Sequence, residues 1–166
     1  MRDLNQQLLE FDLKQNYRDE DFYVNKSNFY AFSLIEKWPL WEKNILNIHG
    51  EKYCGKTHLS NIFKKKNKAF KIKANEFNQE SLKKFKTFEN LILDDFDEKI
   101  NEKLMYTLFN IADQDRKFIL INSLVPINEL NFSLKDFQSR SKNCIFAKIE
   151  NPDDELMFAI LLKNFS

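Results

Sequence analysis

The chain has 166 residues with 26 Lys and Arg, 25 Asp and Glu and a formal net charge of +1, enough for one domain with a real core and too little for two of average size. Hydrophobic residues at 43% and charged residues at 31% exclude a disordered chain, and no apolar run approaches the roughly 18 residues that cross a bilayer. The near-neutral balance provides no whole-molecule field for nucleic acid or an anionic membrane, so any such partner would have to be met locally.

The opening MRDLNQQLLEFDL carries acids and amides where a signal peptide has an apolar segment, so the expected location is cytoplasmic. Cys54 and Cys144 have no Cys-x-x-Cys spacing and read as two reduced thiols. Lysines outnumber arginines 22 to 4, and Gly50 and Gly55 are the only glycines; against that background a retained Arg or Gly points to a geometric requirement.

Residues 1–20 read as a tail with weak periodicity. Ser27 is placed to cap a helix through Phe29, Phe32, Leu34, Ile35 and Trp38, closed by Pro39. A strand over residues 44–49 runs into a glycine-bounded loop, and a helix over 57–68 follows, with basic residues at its carboxyl end. Phe70 and Ile72 alternate with Lys71 and Lys73 in an edge or half-buried strand, and residues 76–86 form a helix. Leu91, Ile92 and Leu93 are a buried strand stopped by Asp94 and Asp95. A helix over 98–114, a strand over 118–121, a short helix over 133–139 and a strand over 144–149 complete the alternation. Asn151 and Pro152 then open a last helix. The expected fold is a three-layer α/β domain with a mostly parallel sheet of about five strands.

The segment GEKYCGKTH, residues 50–58, contains G-x-x-x-x-G-K-T between a predicted strand and a predicted helix. Backbone N–H groups of such a turn point at phosphate oxygens, Lys56 reaches the β and γ phosphates, and the Thr57 hydroxyl ligates magnesium. Gly50, Glu51, Lys52, Tyr53, Cys54, Gly55, Lys56, Thr57 and His58 are therefore the expected nucleotide contacts. Asp94 is the expected magnesium ligand and Asp95 the group that orients or deprotonates water, because the crevice of a parallel sheet lies beyond its strands' carboxyl ends. Asn122 reaches the same edge as a sensor of the γ-phosphate, with Ser123 competing for that role and a plain turn residue the simpler reading. Arg140 suits a phosphate on a neighbouring subunit, or is an ordinary surface arginine. Lys64, Lys65, Lys66, Lys68, Lys71 and Lys73 form a basic patch or a solvated helix end and edge strand.

On these motifs the chain resembles the DnaA/Hda family of AAA+ ATPases, and within it the Hda-like type. The carrying residues are Asp21-Phe22-Tyr23-Val24 with Ser27-Asn28, Gly55-Lys56-Thr57-His58-Leu59, Leu93-Asp94-Asp95, Ile121-Asn122-Ser123, Ser139-Arg140, and Asn151-Pro152-Asp153-Asp154-Glu155-Leu156 with Leu161-Leu162-Lys163. The resemblance covers residues 21–165 and implies an AAA+ domain over 21–166. It also implies ATP or ADP with Mg2+ as ligand, Tyr23 and Val24 near adenine, Asn122 as first sensor and Arg140 as an arginine finger.

The implied function is promotion of hydrolysis of initiator-bound ATP. A non-catalytic DnaA-family adaptor and a helicase-loader-like protein are the alternatives. Implied partners are the initiator DnaA and the DNA polymerase sliding clamp, the latter met through Gln7, Leu8 and Phe11; self-association is also open. Direct sequence-specific DNA recognition is not expected, since no helix-turn-helix segment is present. The family continues into a helical lid bearing a second sensor arginine, whereas the sequence stops at Ser166, so intrinsic ATPase activity is expected to be weak. Glu51 also brings negative charge towards the phosphates.

Overall fold

In the computed structural model, which describes residues 22–151 and 161–163, five strands form one sheet. The helices and strands are α1 (Phe29–Lys37), β1 (Ile45–His49), α2 (Lys56–Lys66), β2 (Ala69–Lys73), α3 (Gln79–Phe85), β3 (Asn90–Phe96), α4 (Glu102–Gln114), β4 (Phe118–Ser123), α5 (Lys135–Arg140) and β5 (Ile145–Lys148). Their order across the sheet is β2-β3-β4-β1-β5, and every ladder is parallel. This is the expected three-layer α/β arrangement.

Alternation along the strands divides the core. Ile45, Leu91, Leu93, Ile119 and Ile121 face α3 and α4 through Phe85, Leu104, Leu108 and Phe109, with Phe137 of α5 in the same cluster. Leu46, Ile48, Ile92, Leu120 and Ala147 face the opposite way, onto Phe32 and Ile35 of α1 and Leu59, Ile62 and Phe63 of α2. Period-two patterning in strands buried on both faces accounts for this split. Cys54 and Cys144 are free and buried; burial pushes the Cys144 thiol up to about 12.

Several boundaries differ from the sequence reading, and each difference has a local cause. Asn28, not Ser27, is the N-cap position of α1 and makes no side-chain cap. Its amide instead accepts from Asn25 N and donates to Tyr23 O, building the turn that enters the helix. The helix expected over 76–86 is divided: residues Ala74–Glu76 form a 3-10 turn, and Asn78 then caps α3 by accepting from Ser81 N at 3.0 Å. Asn101 likewise delays the start of α4 by accepting from Leu104 N. Asp94 and Asp95 do not stop β3, which continues to Phe96 with a register shift after Leu93. Short side chains that bond to the local backbone set these ends, where apolar periodicity gives no signal.

The clamp-binding segment Gln7, Leu8 and Phe11, and most of the helix expected after Asn151, lie outside the described residues. Leu161, Leu162 and Lys163 are helical.

Candidate functional site

The loop between β1 and α2 closes tightly because its ends lack side chains. A Cβ at Gly50 would lie 2.5 Å from Ile149 O and 2.9 Å from Cys54 Sγ, so only glycine fits. Gly55 sits at φ +108°, directly before the first residue of α2, where an L side chain is strained. Tyr53 also has positive φ, at 65°, and its side chain stands out in solvent. Lys56 folds back over this turn: its Nζ donates to Gly50 O, and to Glu51 O at 2.9 Å, with Cys54 Sγ 3.8 Å away. A phosphate seated in the loop would compete for that ammonium.

Phe22 packs beside the loop. Its ring stacks on Phe32 with centroids 5.5 Å apart and meets His58 edge-on at 5.2 Å, while its Cε2 lies 3.7 Å from where a Gly55 Cβ would be. The sequence reading placed the neighbouring Tyr23 and Val24 near adenine and did not single out Phe22. Val24 is in the core, and Phe22 is the ring against the loop. Its adjacency to the matched Tyr23-Val24 pair was the available signal.

Because β4 lies between β1 and β3, the carboxyl end of β4 separates the loop from the acids. Asn122 is 1% exposed. Its Nδ2 donates to Asp94 Oδ1 at 3.3 Å and reaches Lys56 O at 3.5 Å. Its Oδ1 is buried and has no hydrogen-bond partner among the described residues. Ser123 is engaged differently, donating to Val125 O at 2.6 Å and accepting from Asn47 Nδ2 at 2.9 Å. Of the two, Asn122 is therefore the one turned to the acid and the loop.

Asp94 Oδ1 also accepts from Asp95 N at 3.1 Å, and Oδ2 lies 3.8 Å from Lys71 Nζ. Asp95 is exposed, with φ 49°. At the end of β1, the imidazole of His49 is held below its ordinary value of 6.5 by burial first and by Lys148 next; Glu129 opposes, Lys56 lowers it further, and Glu150 opposes.

These groups surround a cleft of about 840 Å³, within the range of small-molecule sites. Lys52, Tyr53, Gly55, Lys56, Thr57 and His58 line one side; Asp94, Asp95 and Asn122 line another; Leu124, Val125 and Leu130 add an apolar wall. The sequence reading missed that wall, and it missed Asn47. This fully buried strand residue donates to Ile121 O and Ser123 Oγ and accepts from Ile127 N, so it pins the loop after β4. A polar residue in an otherwise apolar strand was the signal.

Arg140, the last residue of α5, does not line the cleft. Its guanidinium donates to Asn110 Oδ1, through Nε at 2.9 Å and through a second nitrogen, and lies 3.8 Å from Asp113 Oδ2.

The residues fit a nucleotide and its magnesium ion. Gly50 lets the turn close against Ile149 with the Lys56 ammonium folded over it, and the orphaned Asn122 Oδ1 marks a polar position beside Asp94 that the chain alone does not satisfy. Among the described residues no group of three or more His, Cys, Asp or Glu forms a metal cage. An ion here would arrive with its phosphates, as magnesium commonly does.

No protein-family model matches the chain. Among solved structures, domain III of the Thermotoga maritima replication initiation protein DnaA matches with a TM-score of 0.72 and 26% identity, over 89% of this chain and 72% of that one. AMPPCP-bound DnaA from Aquifex aeolicus matches with a TM-score of 0.75 and 22% identity, over 90% of this chain and 55% of that one. DnaI matches with a TM-score of 0.61 and 16% identity, over 79% of this chain and 86% of that one. The chain spans about half the length of the larger initiator structures. The fold is accordingly that of the AAA+ phosphate-loop domains, and it is shared with DnaA domain III and with DnaI. Among the described residues no helix is long and apolar enough to cross a membrane.

Proposed function

We propose that this chain is a DnaA-like AAA+ domain that binds ATP or ADP with Mg2+ in the cleft over residues 50–58 and uses the bound nucleotide to dock on replication partners, as a non-catalytic adaptor or a helicase-loader-like protein. The observation that carries this reading is the convergence of Asp94 and Asn122, near the carboxyl ends of adjacent strands, on Lys56 at the start of α2, beside a turn closed to side chains at Gly50.

When nucleotide binds, Lys56 exchanges the Gly50 and Glu51 carbonyls for phosphate oxygens, and the first turn of α2 adds its free N–H groups. Thr57 and Asp94 would hold the magnesium ion, which would supply charge neutralisation for the phosphates. Asn122, beside Asp94, would stand at the γ-phosphate end, with Asp95 at the exposed rim. Among the described residues no arginine lines the cleft, so charge growing on a γ-phosphate would meet lysines, Lys56 and Lys52, and the ion, without the planar guanidinium fork of an arginine finger. That favours binding over turnover.

Calorimetric titration of the purified chain with ADP and ATP tests the reading. Lys56→Ala is expected to weaken binding at least about tenfold, or 1.4 kcal/mol. Equal affinity in both proteins would remove the assignment.

A second reading rests on Arg140, which ends the helix before β5 and stands outside its own cleft. An Hda-like regulator would release it from Asn110 and Asp113 and present it to initiator-bound ATP. Such a group acts on charge that develops during transfer, so Arg140→Ala is expected to reduce stimulated phosphate release by about 10²-fold or more while leaving co-sedimentation with the initiator intact. Release unaffected by the substitution would leave the adaptor reading alone. The division into a clamp-docking tail over residues 1–20 and a nucleotide domain over 21–166 belongs to the same proposal, supported by the Gln7-Leu8 and Phe11 pattern.

A further inference from the structure

A lysine on an edge strand ordinarily extends into water, because desolvating an ammonium is costly. Lys71, on the edge strand β2, does not: its side chain is 18% exposed and lies 3.8 Å from Asp94 Oδ2. The same ammonium donates to Asn61 Oδ1 at 2.7 Å and Ser60 Oγ at 3.4 Å, both on α2.

The other carboxylate oxygen, Oδ1, takes donors from Asn122 and from Asp95 N. Both oxygens of Asp94 are thus met by this chain's own donors and charge. Asp94, the group expected to attract magnesium, carries a resident cation instead.

We propose that Lys71 is a built-in counter-ion for Asp94 that lowers the dependence of nucleotide binding on magnesium, an inference that rests on the nucleotide reading above. Without magnesium, a P-loop site sets a nearby carboxylate against the phosphates, and the ion normally relieves that repulsion. Here Lys71 relieves part of it in advance. With magnesium, the like charge of Lys71 opposes the ion. Both effects narrow the difference between the two conditions. Asn61 and Ser60 already hold the ammonium from the helix side, so Lys71 can withdraw from Asp94 without losing all its partners.

The test is fluorescence titration of MANT-ADP in excess EDTA and in saturating magnesium, read as the ratio of the two dissociation constants. Lys71→Met is expected to raise that ratio about tenfold, weakening binding in EDTA while sparing or tightening it in magnesium. Lys71→Arg, which keeps the charge, is expected to retain the wild-type ratio. In an Asp94→Asn background, Lys71→Met is expected to change the ratio much less.

A merely structural lysine would weaken both conditions in parallel, and a parallel loss or an unchanged ratio in Lys71→Met overturns the proposal. Circular dichroism checks folding, and Lys71→Gln, which keeps a donor to Asn61, replaces the methionine variant if that one is unfolded. Failure of the underlying nucleotide reading has a different signature: the wild-type chain and Lys56→Ala give the same weak or absent titration, and the counter-ion role falls with it.

Discussion

Gly50→Ala adds one methyl group to the most crowded point of the loop. That carbon would lie 2.5 Å from Ile149 O and 2.9 Å from Cys54 Sγ. The first contact is with backbone and cannot swing aside. Ile149 N donates to His49 O at 2.8 Å, which ties the two segments together, and Gly50 N donates to Ser123 O at 3.2 Å, which anchors Gly50 to β4 on the other side. Overpacking of a filled site costs about 1–3 kcal/mol; with the backbone involved, ~2 kcal/mol is expected, a fall in Tm of about 4–8 °C for a chain of this size. The loop must also open, so nucleotide affinity falls with stability.

Cys54→Ala in the same background removes only the 2.9 Å contact and should recover less than half of the loss. Gly55→Ala separates strain from crowding: its nearest obstacle is Phe22 Cε2 at 3.7 Å, but φ +108° costs an L residue about 1–2 kcal/mol. Urea unfolding and thermal melts of the four proteins, with a nucleotide titration of each, check the set. A Gly50→Ala chain that melts and binds like wild type would refute the close packing of Gly50 against Ile149.

The His49 imidazole is held below 6.5 in the folded chain by burial and by Lys148. The unfolded chain therefore takes up the proton first as pH falls. The neutral folded form keeps its full stability above 6.5 and loses it progressively as pH drops through that value towards the folded pKa. His49→Gln should flatten the urea-unfolding free energy across that window, and an unchanged slope would assign the dependence to other groups. Asn47→Leu keeps the volume but orphans Ile127 N, a cost of about 1–3 kcal/mol; loss of hydrogen-exchange protection at the Ile127 amide should accompany it, and retained protection would show that Asn47 does not pin this loop.

Most of the architecture follows from features visible in one dimension. Leu91-Ile92-Leu93 and Phe118-Ile119-Leu120-Ile121 are apolar at every position because both faces are covered, and their strands sit inside the sheet. Phe70 and Ile72 alternate with lysines because β2 is an edge. Gly50, Gly55, Lys56 and Thr57 located the loop, since chain reversal between strand and helix restricts residue type more sharply than packing does.

What periodicity could not supply was the ends of elements and the direction of long polar side chains. Asn101 moves a helix start through one hydrogen bond, and Asn78 does so through a reciprocal pair with Ser81. Lys71 read as part of a solvated stripe, yet it turns inward to Asp94 because β2 runs beside β3 and Lys73 is in register with that acid. The inward turn depends on a pairing between segments about twenty residues apart, which a hydropathy pattern does not encode. Arg140 stands outside its own cleft, and its partners Asn110 and Asp113, one helix away, are likewise not visible in the periodicity.

The order β2-β3-β4-β1-β5 also explains why the polar groups of the cleft are paired with one another. Inserting β4 between the loop strand and the acid strand puts Asn122 within reach of both Lys56 O and Asp94. Lys56, meanwhile, is hydrogen-bonded to loop carbonyls, and Asp94 to two N–H donors with Lys71 as its counter-charge. A ligand entering such a site exchanges internal hydrogen bonds for new ones and does not simply fill unsatisfied positions, so each new contact is worth less than the same contact in a bare site. The unpartnered Asn122 Oδ1 is the exception. That oxygen is closed off by the surrounding chain, so a donor reaches it only if the carboxyl end of β4 shifts. Asn122→Asp is the informative change at this position: it sets a second carboxylate beside Asp94, and the added negative charge should weaken nucleotide binding most when magnesium is absent.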